Sequence, residues 1–553
     1  MKKWTVPQRV AAAALAVSAL PQLVSLCVTS QHGFDSSNHL AWIAEWHKLW
    51  GDGIYYPRWL PDAYSGLGSP ALYAYPPLSY VLSSILYLIV PNAASGDIIR
   101  VLIGLTLLAS LVTMWLYIRQ HVADWRIAAL GATLYAFAPY RFLDYSTRCA
   151  LSEHISFIFI PLVFLAAERI VRHDRLRSSS LLFIVGITLL LLTSLPSSAT
   201  VLLGLMILIF CNRRNGRIRI AALIASLGVL ALGLAAFYLL PAVTFLPLMR
   251  LSTTGWQPGI FGSGSPIVGL FIGGSLPLDG INSLCFIGAT ILLIALLRQT
   301  KRPGAPAEWS SVLGVYGWML AFIVVLQLPY LPLFLFYFVL PFKVIEIPSR
   351  LAILLVFAVS ARWAETLDGR HKDQGLSYVV TGWAVAITLL ASMRIAIETK
   401  HPHVAQSGTS AEFAPVWLRH SNDTLTDSKS MIAHRLQYST SDSIIAYNRT
   451  AYSDTILIRC AERDTVSLHR AYWPAWAVRI DGKAARCWPD SVGRLTAEVP
   501  AGRHAIMCSL EETSAEIVGR WISIATLCGL ILAFSISILH RKRKRTDDVS
   551  PVS

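Results

Sequence analysis

Long apolar runs separated by short basic loops make up most of the first 395 residues. Helices of about 20 apolar residues span a bilayer, and Lys and Arg mark their cytoplasmic ends. Basic residues flank the first run, at Lys2, Lys3 and Arg9, and follow the last run at 541–545, so both termini are predicted to be cytoplasmic. Placing the interior basic clusters inside as well predicts about 12 spans, at 10–28, 98–118, 127–140, 155–171, 179–195, 198–211, 219–240, 281–298, 311–327, 350–366, 377–395 and 518–539.

Two further apolar stretches, Leu78 to Val90 and Leu331 to Phe342, are about a dozen residues long, which suits re-entrant or interfacial segments rather than spans. The prediction is therefore a multi-span domain over 1–395, with its loops outside the cytoplasm at 29–97, 141–154, 241–280 and 328–349.

Residues 396–517 change to short alternating patterns, which are typical of strands. The patterns lie at Thr455–Arg459, Val466–His469, Ala477–Ile480, Leu495–Val499 and His504–Ser509. Asp481-Gly482 is a hairpin turn signal, because glycine accepts a positive φ. We predict a small external β-sandwich-like domain here, tethered by a final helix and basic tail over 518–553.

Three aromatic side chains of this domain, Tyr472, Trp473 and Trp476, allow two interpretations. They could stack on sugar rings, or they could pack in the core or at the membrane interface. Three of the eight cysteines, Cys460, Cys487 and Cys508, also fall in this region, and one disulfide among them is compatible with an oxidising compartment.

The composition agrees with a membrane protein, since 54% of residues are hydrophobic and 14% are charged, against about 25% charged in soluble domains. The formal net charge of +15 sits in short loops between apolar runs. Such a placement serves membrane topology, so we expect a lipid bilayer and no nucleic acid as partner.

The first external loop begins with Asp35 and His39, which are spaced i, i+4 and would share one face of a helix. A carboxylate at the membrane surface can take a proton from an acceptor hydroxyl, or it can help to hold a metal ion. The alternative is an ordinary helix cap or a solvated residue.

The second external loop carries Arg141, Asp144, Arg148, Glu153 and His154 between apolar spans. Charges near a bilayer are costly unless they are paired or used. The loop therefore predicts either an ion-pair network that locks helices together or a functional site.

A third group, Lys343 and Arg350, falls on the same predicted side. Together with Arg141 and Arg148, these cations could face a lipid phosphate, and the arginine fork donates two parallel hydrogen bonds to such a group. The sequence thus indicates chemistry on a phosphate-linked lipid outside the cytoplasm.

With these motifs in their shared order, the sequence resembles the GT-C membrane glycosyltransferases and, more narrowly, the bacterial YfhO-like proteins. The motifs are Asp35 after span one, Tyr56-Pro57-Arg58-Trp59, the glycine run 66–70 leading to Tyr75-Pro76-Pro77, the second loop, Leu240-Pro241, Ile347-Pro348-Ser349-Arg350, the aromatic run 472–476 and Asp481-Gly482-Lys483.

The resemblance implies transfer of a sugar from a polyprenyl-phosphate donor to a glycan, lipid or protein acceptor, on the outer face of the bacterial cytoplasmic membrane. It implies Asp35 as catalytic base and Arg148 and Arg350 as ligands of the donor phosphate. Arg58, in the Tyr-Pro-Arg-Trp motif, is a further candidate for phosphate binding. Many GT-C enzymes carry a second acid two residues after the first, and this loop does not, so a divalent metal ion stays open. His39, Asp144 and Glu153 are the residues that could take the place of that acid, as metal ligands or in support.

Two other functions are compatible with the same residues. A flippase or transporter of lipid-linked sugars would use the arginines for the same head group, although internal repeats typical of transporters are missing from the sequence. A non-catalytic envelope assembly protein would use the β-rich domain to bind a partner and would not need Asp35.

Overall fold

The computed structural model describes residues 4–28, 33, 35–211, 216–252, 342–345, 348–365, 367–368, 408–418, 438–439 and 442–547, and positions 382, 388, 392 and 395. The helices of the first half are α1 Val6–Val28, α2 Ser36–Gly51, α3 Ala63–Gly66, α4 Ala71–Ala74, α5 Leu78–Ile89, α6 Ser95–Ile118, α7 Trp125–Ala136, α8 Pro139–Leu143, α9 Leu151–Ser156, α10 Phe159–Val171, α11 Leu176–Leu191, α12 Leu195–Cys211, α13 Arg217–Leu234 and α14 Ala236–Phe245. The later helices are α15 Phe342–Ile345, α16 Ala352–Glu365 and α17 Ser514–Asp547.

Five helices of the described part are long and apolar enough to cross a membrane. They are Gln8–Val28, Ser95–Ile118, Leu151–Val171, Arg217–Leu234 and Ser514–Ile536. Each overlaps a predicted span, so the prediction of a mostly helical membrane protein with several spans is confirmed at this level. The number of about 12 spans stays a prediction.

The other predicted spans fall into two groups. Those at 127–140, 179–195, 198–211 and 350–366 correspond to the shorter helices α7, α11, α12 and α16. Those at 281–298, 311–327 and 377–395 lie outside the continuously described residues, as do the stretch 331–341 and most of loops 241–280 and 328–349. The short apolar stretch after Pro77 forms α5, a helix of 12 residues.

The chain divides into two compact units. The first unit comprises Met1–Pro57, Pro76–Ala225 and Thr254–Ser410, and the second unit comprises Arg58–Tyr75, Ser226–Thr253 and Ala411–Ser553. The predicted β-rich domain over 396–517 is thus not a unit by itself, because its strands share a compact body with part of the first loop and with α14 and α17. Its external location stays a prediction.

Two antiparallel sheets form the β-rich part of the second unit. The strands are β1 Ser443–Arg449, β2 Ser453–Cys460, β3 Asp464–Ala471, β4 Trp476–Ile480, β5 Lys483–Ala485, β6 Cys487–Pro489, β7 Arg494–Val499 and β8 Gly502–Leu510. Their orders are β1-β2-β8-β4-β5 and β3-β7-β6. All five predicted strands lie within observed ones. Asp481 and Gly482 join β4 to β5 with φ values of 50° and 81°, as the turn signal predicts.

The loop 58–75 folds onto the sheets of the second unit. Leu67 accepts a backbone hydrogen bond from Ala471 at 2.7 Å. Gly68, at φ +86°, lies so close to the buried indole of Trp59 that a Cβ atom would come within 2.7 Å of Cζ2. The glycine run is therefore shaped by packing. Trp59 packs edge-on against Trp476, with ring centroids 5.5 Å apart.

A buried charged group, the His121 cluster, lies in the first unit where α6, α10 and α16 end. His121 Nε2 is 3.0 Å from Glu168, and Nδ1 is 3.8 Å from Glu365. Arg362 pairs with Glu365 at 2.9 Å. Further from this cluster, Phe164 of α10 and Phe357 of α16 stack with ring centroids 4.5 Å apart.

Candidate functional site

A buried carboxylate, Glu153, forms the centre of a charged cluster in the first unit. Its Oε2 accepts from Arg148 Nη1 and from Arg350 Nε, both at 3.1 Å. Its Oε1 accepts a short hydrogen bond from the Tyr140 hydroxyl. Two guanidinium groups from distant parts of the chain thus converge on one oxygen atom. We call Asp35, Asp144, Arg148, Glu153 and Arg350 the arginine–carboxylate site.

An irregular helical stretch places these side chains. The chain passes from α8 into a π-helical turn, Asp144–Arg148, and then through Cys149 at φ +55° into α9. The wide turn brings Asp144 Oδ1 within 3.2 Å of Arg148 Nη1. Such turns are uncommon and occur frequently at functional sites. The positive φ of a non-glycine residue marks the same stretch as strained.

Asp144 is fully buried in this turn. Burial raises the pKa of its carboxyl well above the usual range, and the charge of Glu153 acts in the same direction against the nearby arginines. Its Oδ2 has no hydrogen-bond partner among the described residues. An unpartnered buried carboxylate oxygen is costly unless it is protonated or meets a ligand.

Asp35 joins the site through the main chain. Its backbone N–H donates to the carbonyl oxygen of Arg148 at 3.0 Å. It precedes α2 as the N-cap residue, yet its side chain makes no capping hydrogen bond. The ordinary interpretation of an acid at this position, a helix cap, therefore does not explain it. Burial raises the pKa of Asp35, although Arg148 and Arg350 act to lower it.

His39 lies one turn along α2, as its spacing from Asp35 predicts, but it does not join the site. Its Nδ1 is 3.1 Å from the Tyr80 hydroxyl, and burial lowers its pKa to about 4, so the imidazole is neutral. Arg141 is also buried apart from Glu153. It donates to Ser110 at 2.6 Å and stacks on Phe157 at 4.4 Å.

The two remaining predicted cations differ from Arg148 and Arg350. Arg58 belongs to the second unit, where it donates to the carbonyl oxygen of Phe237 at 2.7 Å and lies 3.4 Å from Glu516. These contacts give it a packing role there. Lys343 lies in α15, whose last residue, Ile345, accepts a hydrogen bond from Arg350 at 2.9 Å.

The described residues contain no group of three His, Cys, Asp or Glu side chains that could hold a metal ion. Both oxygens of Glu153 already accept hydrogen bonds, and Asp144 Oδ1 is paired with Arg148. These carboxylates therefore do not fit a divalent cation in this arrangement.

In the second unit, the aromatic residues offered as sugar-binding surfaces are largely interior. Trp473 and Trp476 are buried, and only Tyr472 is half-buried. The packing interpretation is the observed one. Cys460, Cys487 and Cys508 are free thiols.

Tyr140, which donates a hydrogen bond to the site at Glu153, has no obvious signal in the sequence. It stands beside Arg141 in the second loop, where an aromatic residue is also typical of a membrane interface. Its pairing with Glu153, thirteen residues later, depends on the π-helical turn.

No protein-family model matches the chain. No curated protein matches it. Among solved structures, the chain is similar to the arabinofuranosyltransferase AftD from mycobacteria, with 15% identity and a TM-score of 0.34. The match covers 71% of this chain and 27% of that protein, so the chain spans about a quarter of its length. A similarity at this TM-score supports no statement about the mechanism of this chain. The resemblance to the GT-C and YfhO-like proteins stays a prediction.

Proposed function

We propose that the chain is a membrane glycosyltransferase, with Asp35 as its catalytic base. It transfers a sugar from a polyprenyl-phosphate donor to a hydroxyl of a glycan, lipid or protein acceptor on the outer face of the bacterial cytoplasmic membrane. One observation carries the proposal. Asp35, whose side chain makes no capping hydrogen bond, is fixed by a 3.0 Å main-chain hydrogen bond to Arg148, and the charges of Arg148 and Arg350 act on its carboxyl.

The proposed reaction is a direct displacement. Asp35 takes the proton of the acceptor hydroxyl, the acceptor oxygen bonds to the anomeric carbon, and the bond from that carbon to the phosphate oxygen breaks. The electron pair leaves with polyprenyl phosphate, and the anomeric centre inverts. A general base works best when its pKa is near the operating pH, and burial moves the pKa of Asp35 in that direction.

The arginines would stabilise the leaving group. Negative charge develops on the phosphate oxygens as the glycosidic bond breaks, and donors fixed in advance stabilise such charge strongly. In the described part of the chain, Arg148 donates to Asp144 and to Glu153, in both cases through Nη1. We assign the guanidinium groups of Arg148 and Arg350, which meet at Glu153, to the donor phosphate.

The test is transfer of labelled sugar from polyprenyl-phosphate donors in membranes that contain equal amounts of each variant. Asp35→Asn removes the base and keeps the side-chain shape. We expect transfer to fall about 10²- to 10⁴-fold. Asp52→Asn is the matched control, since Asp52 is an exposed carboxylate at the other end of α2, and we expect it to leave transfer unchanged.

Equal transfer by wild type and Asp35→Asn would contradict the role of Asp35. Absence of transfer by wild type, together with movement of labelled lipid across the membrane, would favour a flippase. Absence of both activities would favour an assembly protein.

A further inference from the structure

The arginine–carboxylate site already contains an anion in the place where the proposed phosphate would bind. Glu153 Oε2 takes one hydrogen bond from each of two guanidinium groups, both at 3.1 Å. Two cationic donors that converge on one oxygen are the arrangement expected for a phosphate oxygen. The chain supplies this oxygen from its own side chain.

The acids of the site already balance its arginines. Asp35, Asp144 and Glu153 act electrostatically on Arg148, and Arg350 adds a second positive charge. Outside this group, the buried Arg141 is the next cation that Asp144 senses. Because burial raises the pKa of Asp144 and favours its neutral form, Asp35 and Glu153 are the acids that offset Arg148 and Arg350. A phosphate would therefore add negative charge where the described residues have no excess of positive charge, and like charges in a buried site repel strongly.

The exposures of the three central side chains give the direction of approach. Arg148 and Arg350 are 17% and 13% exposed, whereas Glu153 is 4% exposed. A ligand that reaches the site therefore meets the arginines first, with the carboxylate behind them. Glu153 is also held independently, because Tyr140 donates to its other oxygen, Oε1.

We propose that Glu153 is an internal competitor of the donor phosphate. Without bound phosphate, Oε2 accepts hydrogen bonds from both arginines and holds them in place. When a phosphate monoester or diester binds, its oxygen takes over these hydrogen bonds, and Oε1 stays with Tyr140. After transfer, Oε2 returns to the arginines and helps to expel the polyprenyl phosphate product. This inference rests on the proposed function, because it assumes that the arginines bind the donor phosphate.

Competition and simple positioning predict opposite effects of Glu153→Gln. If Glu153 only positions the arginines, its loss would raise KM and weaken phosphate binding. An internal competitor would do the reverse, since the amide removes the negative charge at nearly constant shape. We expect about tenfold tighter phosphate binding, with KM and kcat lowered together because product release slows.

The experiment measures binding of a polyprenyl monophosphate, and separately of inorganic phosphate, to the full-length protein purified in detergent. Glu153→Asp keeps the charge and shortens the side chain, so it controls for disturbed geometry, and we expect no tighter binding. Glu365→Gln removes a buried carboxylate of the His121 cluster, and we expect unchanged affinity. A single elution peak on gel filtration shows that each variant is folded.

Tighter binding by Glu153→Gln alone supports the inference. If Glu153→Gln also binds inorganic phosphate more tightly, the phosphate group is recognised by itself. If it binds only polyprenyl monophosphate more tightly, the polyprenyl tail contributes too. Equal or weaker binding by Glu153→Gln, with wild type binding normally, would overturn the competitor role and leave the proposed function standing. Binding by no variant would remove the proposed donor class, and the inference with it.

Discussion

Replacing Gly68 by alanine tests whether the glycine run of the first loop exists for packing rather than for ligand binding. Gly68 has φ +86°, and a Cβ atom there would overlap the buried indole of Trp59. Gly66 has nearly the same backbone angle, φ +90°, but its Cβ would make ordinary van der Waals contacts, 3.5 Å from His469 Nε2 and 3.9 Å from Arg449 Nη2. The two glycines therefore form a matched pair that differs in steric clash alone.

The structure allows the size of each effect to be worked out. An alanine at positive φ costs about 1–2 kcal/mol, and both variants carry this strain. Overpacking of a rigid interior costs a further 1–3 kcal/mol or so, and this applies to Gly68→Ala only. We expect Gly68→Ala to lose about 2–5 kcal/mol of unfolding free energy and Gly66→Ala about 1–2 kcal/mol.

The assay is thermal unfolding of the purified chain, followed by tryptophan fluorescence. At about 2–4 °C per kcal/mol for a unit of 150–250 residues, Gly68→Ala should melt about 2–12 °C below Gly66→Ala. In a Trp59→Leu background, which removes the overlapping ring, Gly68→Ala and Gly66→Ala should lower the melting temperature by similar amounts, since the buried Trp59→Leu change itself is destabilising in both. Equal melting temperatures for Gly66→Ala and Gly68→Ala would refute the steric explanation.

Two further predictions concern buried charges. Burial acts to lower the pKa of His121, but the charges of Glu168 and Glu365 outweigh it and raise the pKa above 6.5. The ion pairs of protonated His121 therefore stabilise the fold fully below about pH 6.5, and this stabilisation is lost as pH rises through the raised pKa. The melting temperature should fall over that pH range in wild type and not in His121→Gln. Arg470 is buried against Asp454 at 2.6 Å, and Arg470→Gln should cost about 3–5 kcal/mol in thermal unfolding. A melting temperature as high as that of the exposed-pair control Arg463→Gln would contradict it.

The β-rich part of the second unit could be predicted closely because its signals are local. Alternating burial along β2 and β8 follows from the two-residue period of a strand. The turn at Asp481 and Gly482 needs two residues that tolerate positive φ, and the sequence supplies them side by side.

The candidate site could be predicted only in part, because its pairings are tertiary. The predicted topology put Asp35, Arg148 and Arg350 on one side of the membrane. The structure brings Arg148 and Arg350 to Glu153 and joins Asp35 to the main chain of Arg148. The same reasoning made Arg58 an equal candidate for phosphate binding, because it is also an arginine on the same predicted side of the membrane. Its partner Glu516 lies at the start of the last helix, and no local pattern in the sequence reveals that pair.

For the same reason, the sequence could not show that loop 58–75 belongs to the second unit. The loop follows the first span and reads as part of the membrane domain. Its main chain instead pairs with Ala471 of β3, and Trp59 packs with the aromatic residues of the sheet region. Such long-range packing depends on three-dimensional fit and leaves no periodic signal.

The His121 cluster restricts the relative movement of two helical segments, 153–168 and 350–365, whose ends it joins. Fifteen residues separate Glu153 from Glu168, and fifteen separate Arg350 from Glu365, about 22 Å along each segment at 1.5 Å per residue. The two segments are therefore tied at both ends, by Glu153 to Arg350 and by His121 to Glu168 and Glu365. Neither segment can slide by one helical turn past the other without opening both sets of ion pairs at once. Sliding of one segment past the other is therefore more costly than a rearrangement of side chains at one end.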